Sequence, residues 1–263
     1  PFDGWIKSSL NAPTVVSAFM HAGLVNGGGF LLVRFAPLLV HEKTLLLLLF
    51  IIGSITAINA TFWKLIQTDV KRMLACSTIA QMGFMVVECG LGLFPAAVAH
   101  LLWHGLFKSY LFLSANTIAH QKKYPLAPPT ISKFIVALLL GLGGTTLFWI
   151  IAQQGPLILN GQVFFGVGLL IFLSQAALTT LFHFSYTHIF KAIFLVMSFA
   201  ISYGYSVHMI EQFIPFSDVQ KLTPIHYFFL FVFCIAWIMM VFRQKLGSTF
   251  LYQKLWPHLY VYF

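Results

Sequence analysis

Apolar positions along this chain do not alternate or keep a 3.6-residue stripe. They come in long runs broken by short polar stretches. A run of ~20 apolar residues, wound as a helix, crosses a hydrocarbon core of ~30 Å. The pattern predicts about eight such spans, near Val15–Val40, Thr44–Gln67, Lys71–Leu91, Pro95–His120, Lys133–Ala152, Val163–Phe182, Thr187–Val207 and Ile225–Phe242. A membrane β-barrel would instead show short alternating segments, and none is present. The expected fold class is all-α, a polytopic transmembrane helical bundle.

Composition and charge sharpen that picture. Hydrophobic residues make up 59% of the 263-residue chain and charged ones 8%, against roughly a quarter charged in a soluble domain. The excess of basic residues, a net charge of +9, would suggest nucleic acid in a soluble protein, but in a membrane protein it marks cytoplasmic loops. Letting each span switch sides puts Lys7, Lys64, Lys71, Arg72, Lys122, Lys123, Lys133, Lys191, Arg243, Lys245 and Lys254 together on one side. Only Lys43 and Lys221 fall on the other, while Arg34 and Lys108 lie inside spans. The positive-inside rule makes the richer side cytoplasmic, with both ends of the chain there. The sharpest change in composition is the linker at Gln121–Thr130, with Lys122, Lys123, Pro125, Pro128 and Pro129. It suggests a core over residues 1–120, a cytoplasmic linker over 121–132, and C-terminal helices and tail over 133–263.

Ionisable groups at membrane depth are costly, which makes them functional candidates. His100, His104 and Lys108 recur at i, i+4 and i+8 in one apolar run, so they drift only about 80° around the helix and share one face over about 12 Å. His21 lies within the first span. Imidazole titrates near neutrality and a desolvated lysine gives up its proton more readily, so such a row suits proton hopping. A structural, hydrogen-bonded role is the bland alternative. Metal binding is a third, since His-x-x-x-His is a zinc-ligand spacing. It lacks the glutamate that follows the first histidine of a metalloprotease helix, Leu101 standing there, and Lys108 would repel a divalent ion.

Lys71 opens a span that also carries Ser77, Thr78 and Gln81. It is either the cytoplasmic mouth of a path or part of a solvated loop. Asn26, Gly27, Gly28 and Gly29 mark either a helix break lining a cavity or close small-residue packing. Ser174 and Gln175 are placed to hydrogen-bond between helices. His183 and His188 are a poor metal pair, and Glu211 and Asp218 are expected in an extracytoplasmic loop. Cys76, Cys89 and Cys234 form no C-x-x-C pair and read as small core residues.

Four segments carry a resemblance. Ala12–Ala22 (APTVVSAFMHA), Gln67–Arg72 (QTDVKR), Ser77–Met85 (STIAQMGFM) and His100–Lys108 (HLLWHGLFK) resemble, in order, signatures of the antiporter-like membrane subunits of complex I and of Mrp antiporters. The resemblance covers about the first half of the chain. It implies that His21, His100, His104 and Lys108 belong to a central proton-relay line, with Lys71 nearby. In that family a glutamate–lysine pair lies upstream of the first motif, so this chain is expected to be a C-terminal part of a longer one. The broken helix with a lysine and the lateral helix that follow in complex I are not evident here. The glycine-rich variant at His21–Leu39 and the short tail Leu255–Phe263 are most similar to the DabB group, membrane subunits of bacterial inorganic-carbon accumulation complexes. That likeness implies a bacterial inner-membrane location and a zinc-containing, carbonic-anhydrase-like partner of the DabA type, driven by proton-motive force. It also implies that this chain binds no cofactor, neither zinc nor quinone. An antiporter-like subunit of NADH–quinone oxidoreductase is the alternative, and a membrane scaffold for a soluble enzyme is a third reading.

Overall fold

The structure is a computed structural model that describes residues 11–67, 69–115, 129–152, 161–183, 189–214 and 219–246. The linker prolines Pro125 and Pro128, together with Lys7, Lys122, Lys123, His188, Asp218, Lys254 and the tail, fall outside these residues. Among the described residues there is no β-strand. The helices are α1 (Thr14–Ala22), a 3-10 turn (Leu24–Asn26), α2 (Gly27–Arg34), α3 (Ala36–Leu39), α4 (Lys43–Ile66), α5 (Val70–Gly90), α6 (Phe94–Leu113), α7 (Ile131–Ala152), α8 (Gly161–His183), α9 (Ile189–Phe213) and α10 (Pro224–Leu246).

Among the described residues, seven stretches are long and apolar enough to cross a membrane, the broken Thr14–Arg34 segment counting as one. The expected eighth, α6, has the length at 20 residues. Its histidines and lysine make it less apolar than the others, so the residues that mark it as a functional candidate also hide it from a hydropathy criterion. The chain is a multi-pass membrane protein.

The chain forms two compact units, Pro1–Lys123 with Ile214–Gln220, and Tyr124–Phe213 with Lys221–Phe263. In the first unit α4 and α5 pack so closely that side chains are excluded from the contact. A Cβ on Gly53 would lie 2.7 Å from the Gly83 carbonyl oxygen, and one on Gly90 would lie 2.6 Å from the Phe50 backbone nitrogen. Small residues let helix backbones meet where lipid offers no hydrophobic drive to association. Gly92, with φ 77°, turns the chain between α5 and α6 in the left-handed region that glycine enters without steric penalty. The turn spans only Leu91–Leu93, so α6 folds back antiparallel beside α5. Buried Ala18, Ala60, Leu74, Ala75, Ile79 and Phe112 form one core cluster of this unit, and Ala36, Leu46, Met85, Cys89, Phe94 and Ala97 another.

The second unit is held by aromatic packing. Phe148 stacks on Tyr203 at 5.5 Å between ring centroids and lies 5.7 Å from Phe165, joining α7, α9 and α8. Trp237 of α10 donates its indole N–H to Gln175 Oε1 of α8 at 3.0 Å, while the Ser174 hydroxyl has no partner among the described residues. Glu211 belongs to the last turn of α9 rather than to a loop. That helix runs six residues past the expected Val207, because its apolar positions continue to Phe213.

The glycine contacts give an expected outcome. Gly53→Leu should destabilise the detergent-solubilised protein by ~1–3 kcal/mol through overpacking, read as a lowered thermal midpoint. Gly28→Ala, where a Cβ would meet nothing within 4 Å, should leave the midpoint unchanged or slightly raised.

Candidate functional site

The site is built from two facing helix stripes. On α5, Leu74, Ser77, Gln81, Phe84 and Glu88 recur at intervals of three and four and so share one face. On α6 the facing positions are Lys108, His104 and His100, running the opposite way. Lys108, 1% exposed, donates from Nζ to the Leu74 carbonyl at 3.1 Å and to Ser77 Oγ at 2.7 Å. Neither acceptor is a carboxylate. Two turns along α6, His100 sits between two α5 side chains, its Nε2 2.9 Å from Gln81 Oε1 and its Nδ1 3.0 Å from Glu88 Oε2. Phe84 flanks the same ring at 6.0 Å between centroids.

His104 lies between them. It is 5% exposed, and neither ring nitrogen has a hydrogen-bond partner among the described residues. Its ring meets His100 edge-on at 6.2 Å between centroids, too far for a direct hydrogen bond but within reach of one bridging water. The opposite side of α6, with Leu102, Leu106, Phe107 and Tyr110, is exposed and apolar.

The broken first span supplies the third wall. His21 is fully buried, with both ring nitrogens also lacking a partner, and it stacks on Phe112 of α6 at 4.5 Å with the rings 13° apart. The departure from α geometry falls on Leu24–Asn26, just before the three glycines, and Gly27 starts the next helix. Asn26 turns its amide Nδ2 back onto the Ala22 carbonyl at 2.6 Å. Gly105 of α6 approaches this break, since a Cβ there would lie 3.1 Å from the Ala22 oxygen. Gly29 is a close-packing position, where a Cβ would overlap the Met85 side chain, whereas Gly27 and Gly28 face open space.

Lys71 is not part of the ladder. It stands at the head of α5 and donates from Nζ to the Ala12 carbonyl at 3.0 Å, pinning the entry of α1 to α5. Asp69 caps α5 by accepting the Lys71 backbone N–H at 2.8 Å. From Lys71 to Ser77 the helix rises about 9 Å. Among the described residues, no three His, Cys, Asp or Glu side chains gather as metal ligands would, and Cys76, Cys89 and Cys234 form no disulfide.

Glu88 belongs to the site although neither the His–His–Lys spacing nor the four motifs point to it. It is 1% exposed and completes the contact with His100. Its signal was available, because of the six acidic residues it alone falls inside a predicted span. Gln81 and Ser77 were read only as polar positions beside Lys71, and their partners on α6 follow from the antiparallel register.

Residues 1–139 match the family described as NADH:quinone oxidoreductase/Mrp antiporter, transmembrane. A probable inorganic carbon transporter subunit DabB1 from Halothiobacillus neapolitanus is 49% identical over 123 residues, which are 47% of this chain and 22% of that protein. A probable inorganic carbon transporter subunit DabB from Bacillus anthracis is 53% identical over 117 residues, 44% of this chain and 23% of that protein. NADH-ubiquinone oxidoreductase chain 5 of Schizophyllum commune is 45% identical over 121 residues, covering 46% of this chain and 18% of that protein. The matched segment thus spans under a quarter of the length of these relatives. Among solved structures, the Mrp complex from a Dietzia species superposes with a TM-score of 0.55 at 23% identity, over 98% of this chain and 33% of that one, a likeness of fold. With the family match extending over half of its length, the chain belongs to the NADH:quinone oxidoreductase/Mrp antiporter transmembrane family.

Proposed function

We propose that this chain is the relay-bearing part of a proton-conducting membrane subunit in an inorganic-carbon accumulation complex of the bacterial inner membrane. There it couples proton-motive force to a zinc-containing peripheral partner of the DabA type. The observation that carries the relay is Lys108, fully buried and held, among the described residues, by the neutral Leu74 carbonyl and Ser77 hydroxyl. An ammonium held this way can lose its proton without stranding a partner carboxylate in the interior, where an unpaired charge is expensive. One turn away, His104 offers two unpartnered ring nitrogens, one to take a proton and one to release it. His100 extends the line, His21 flanks it one turn beyond Lys108 through Phe112, and Lys71 stands at the expected cytoplasmic end.

The identities of 49% and 53% to DabB subunits support the inorganic-carbon assignment over the complex I alternative, which rests on 45% identity to a chain 5 subunit. Isolation of the full-length protein decides between them. Co-purification with a large zinc protein, and rescue of CO2-dependent growth when both are expressed, is expected. Flavin- and quinone-binding partners instead would assign the chain to a redox-driven pump.

In vesicles holding the assembled complex, His104→Ala and Lys108→Ala should each lower proton flux at least tenfold, or about 1.4 kcal/mol in barrier, with assembly unchanged. Normal flux in both variants ends the relay reading. Orientation has its own test. A cysteine placed at Lys43 or Lys221 should react with a membrane-impermeant maleimide added outside intact cells, and one placed at Lys64 or Arg72 should not.

A further inference from the structure

Resting on the relay reading above, we propose that Glu88 is a terminal proton site of the same path, exchanging its proton directly with His100. Three features of the site support this. First, the carboxylate is 1% exposed, and its only hydrogen-bond partner among the described residues is His100, with Oε2 3.0 Å from Nδ1 and Oε1 left without one. A buried carboxylate with an unused oxygen is costly to keep for packing alone, because replacing such a pair by apolar residues is often neutral or stabilising.

Second, the His100 ring is fixed for transfer. Gln81 Oε1 accepts at Nε2, 2.9 Å away, which places a proton on that nitrogen and aims Nδ1 at Glu88. The pair then has two forms of equal net charge, imidazolium with carboxylate or neutral imidazole with carboxylic acid. Moving one proton from Glu88 Oε2 to His100 Nδ1 breaks one O–H bond, forms one N–H bond and leaves the pair electroneutral. Among the described residues, Gln81 and Phe84 from α5 and His104 from α6 face this pair, and the buried Cys89 thiol lies beside Glu88 on α5, so the titratable neighbours are Cys89 and the next member of the line.

Third, position fits a terminus. Glu88 is in the last turn of α5, two residues before the helix ends, while Lys71 is in its first turn. Their separation of seventeen positions corresponds to about 26 Å of helix rise, most of a ~30 Å hydrocarbon core. A single helix thus carries groups at both ends of the path and, through Ser77 and Gln81, braces the line on α6 between them.

The test uses the full-length protein in its native assembly, in vesicles with an internal pH-sensitive dye. Glu88→Gln keeps the size and an acceptor oxygen but holds no transferable proton, and should lower flux at least tenfold. Glu88→Asp, a shorter acid, should retain more flux than Glu88→Gln. Unchanged flux in Glu88→Gln, with Lys108→Ala still defective, overturns the role of Glu88 and leaves the relay standing. Normal flux in both overturns both. Should Glu88→Gln fail to assemble, nitrogen NMR of His100 in the wild-type assembly reads the pair directly. An Nδ1 signal that moves between the two protonation forms across a pH titration is expected, and one fixed in a single form overturns the proposal.

Discussion

A lysine side chain at membrane depth needs hydrogen-bond acceptors that lipid does not provide, and the first unit is organised around supplying them to Lys108. Its two acceptors, the Leu74 carbonyl and the Ser77 hydroxyl, belong to α5, whereas the lysine belongs to α6. Removing either helix leaves an ammonium buried without compensation, a penalty of several kcal/mol. The carbonyl is a shared acceptor, because Thr78 also donates to Leu74 O at 3.1 Å. The backbone group that Lys108 uses is therefore one whose position is set from two directions.

Close packing around that contact makes the geometry tight. Gly83 and Gly90 hold α5 against α4 at backbone distance, and Gly105 does the same for α6 against the Ala22–Asn26 break. A Cβ at Gly83 or Gly90 would lie 2.7 or 2.6 Å from a backbone nitrogen of α4, so a helix would have to shift, whereas at Gly105, 3.1 Å from the Ala22 oxygen, a smaller adjustment suffices. The Gly92 turn sets the register, so that Lys108 meets Ser77 while His100 meets Gln81 and Glu88. Polar groups are thereby confined to an interior seam, and the outer face of α6, with Leu106 and Tyr110, stays apolar.

The polar seam is uneven along its length. At one end Lys108 is satisfied by neutral acceptors, and at the other His100 is paired with an acid. His104 in the middle, like His21 beside Phe112, has buried ring nitrogens with no hydrogen-bond partner among the described residues. Satisfied residues hold a fixed geometry, and unsatisfied ones are free to exchange partners. Anchored ends and an uncommitted centre are what the proposed relay would need.

Much of this was legible in the sequence. Apolar runs of bilayer length imply helices, because every backbone group must be satisfied internally in lipid. The i, i+4, i+8 spacing puts His100, His104 and Lys108 on one face whatever they pack against. Other features were not legible. Three adjacent glycines indicated a disturbance in the first span, yet the 3-10 turn falls on Leu24–Asn26, just before them. The partners of Lys108 and His100 were decided by the tertiary structure, as the Leu74 carbonyl is a backbone group and carries no residue-type signal. Glu88 was visible as the lone acid in a predicted span, but its role depends on which helix lies opposite. One-dimensional spacing determines which side chains share a face; only packing determines what that face meets.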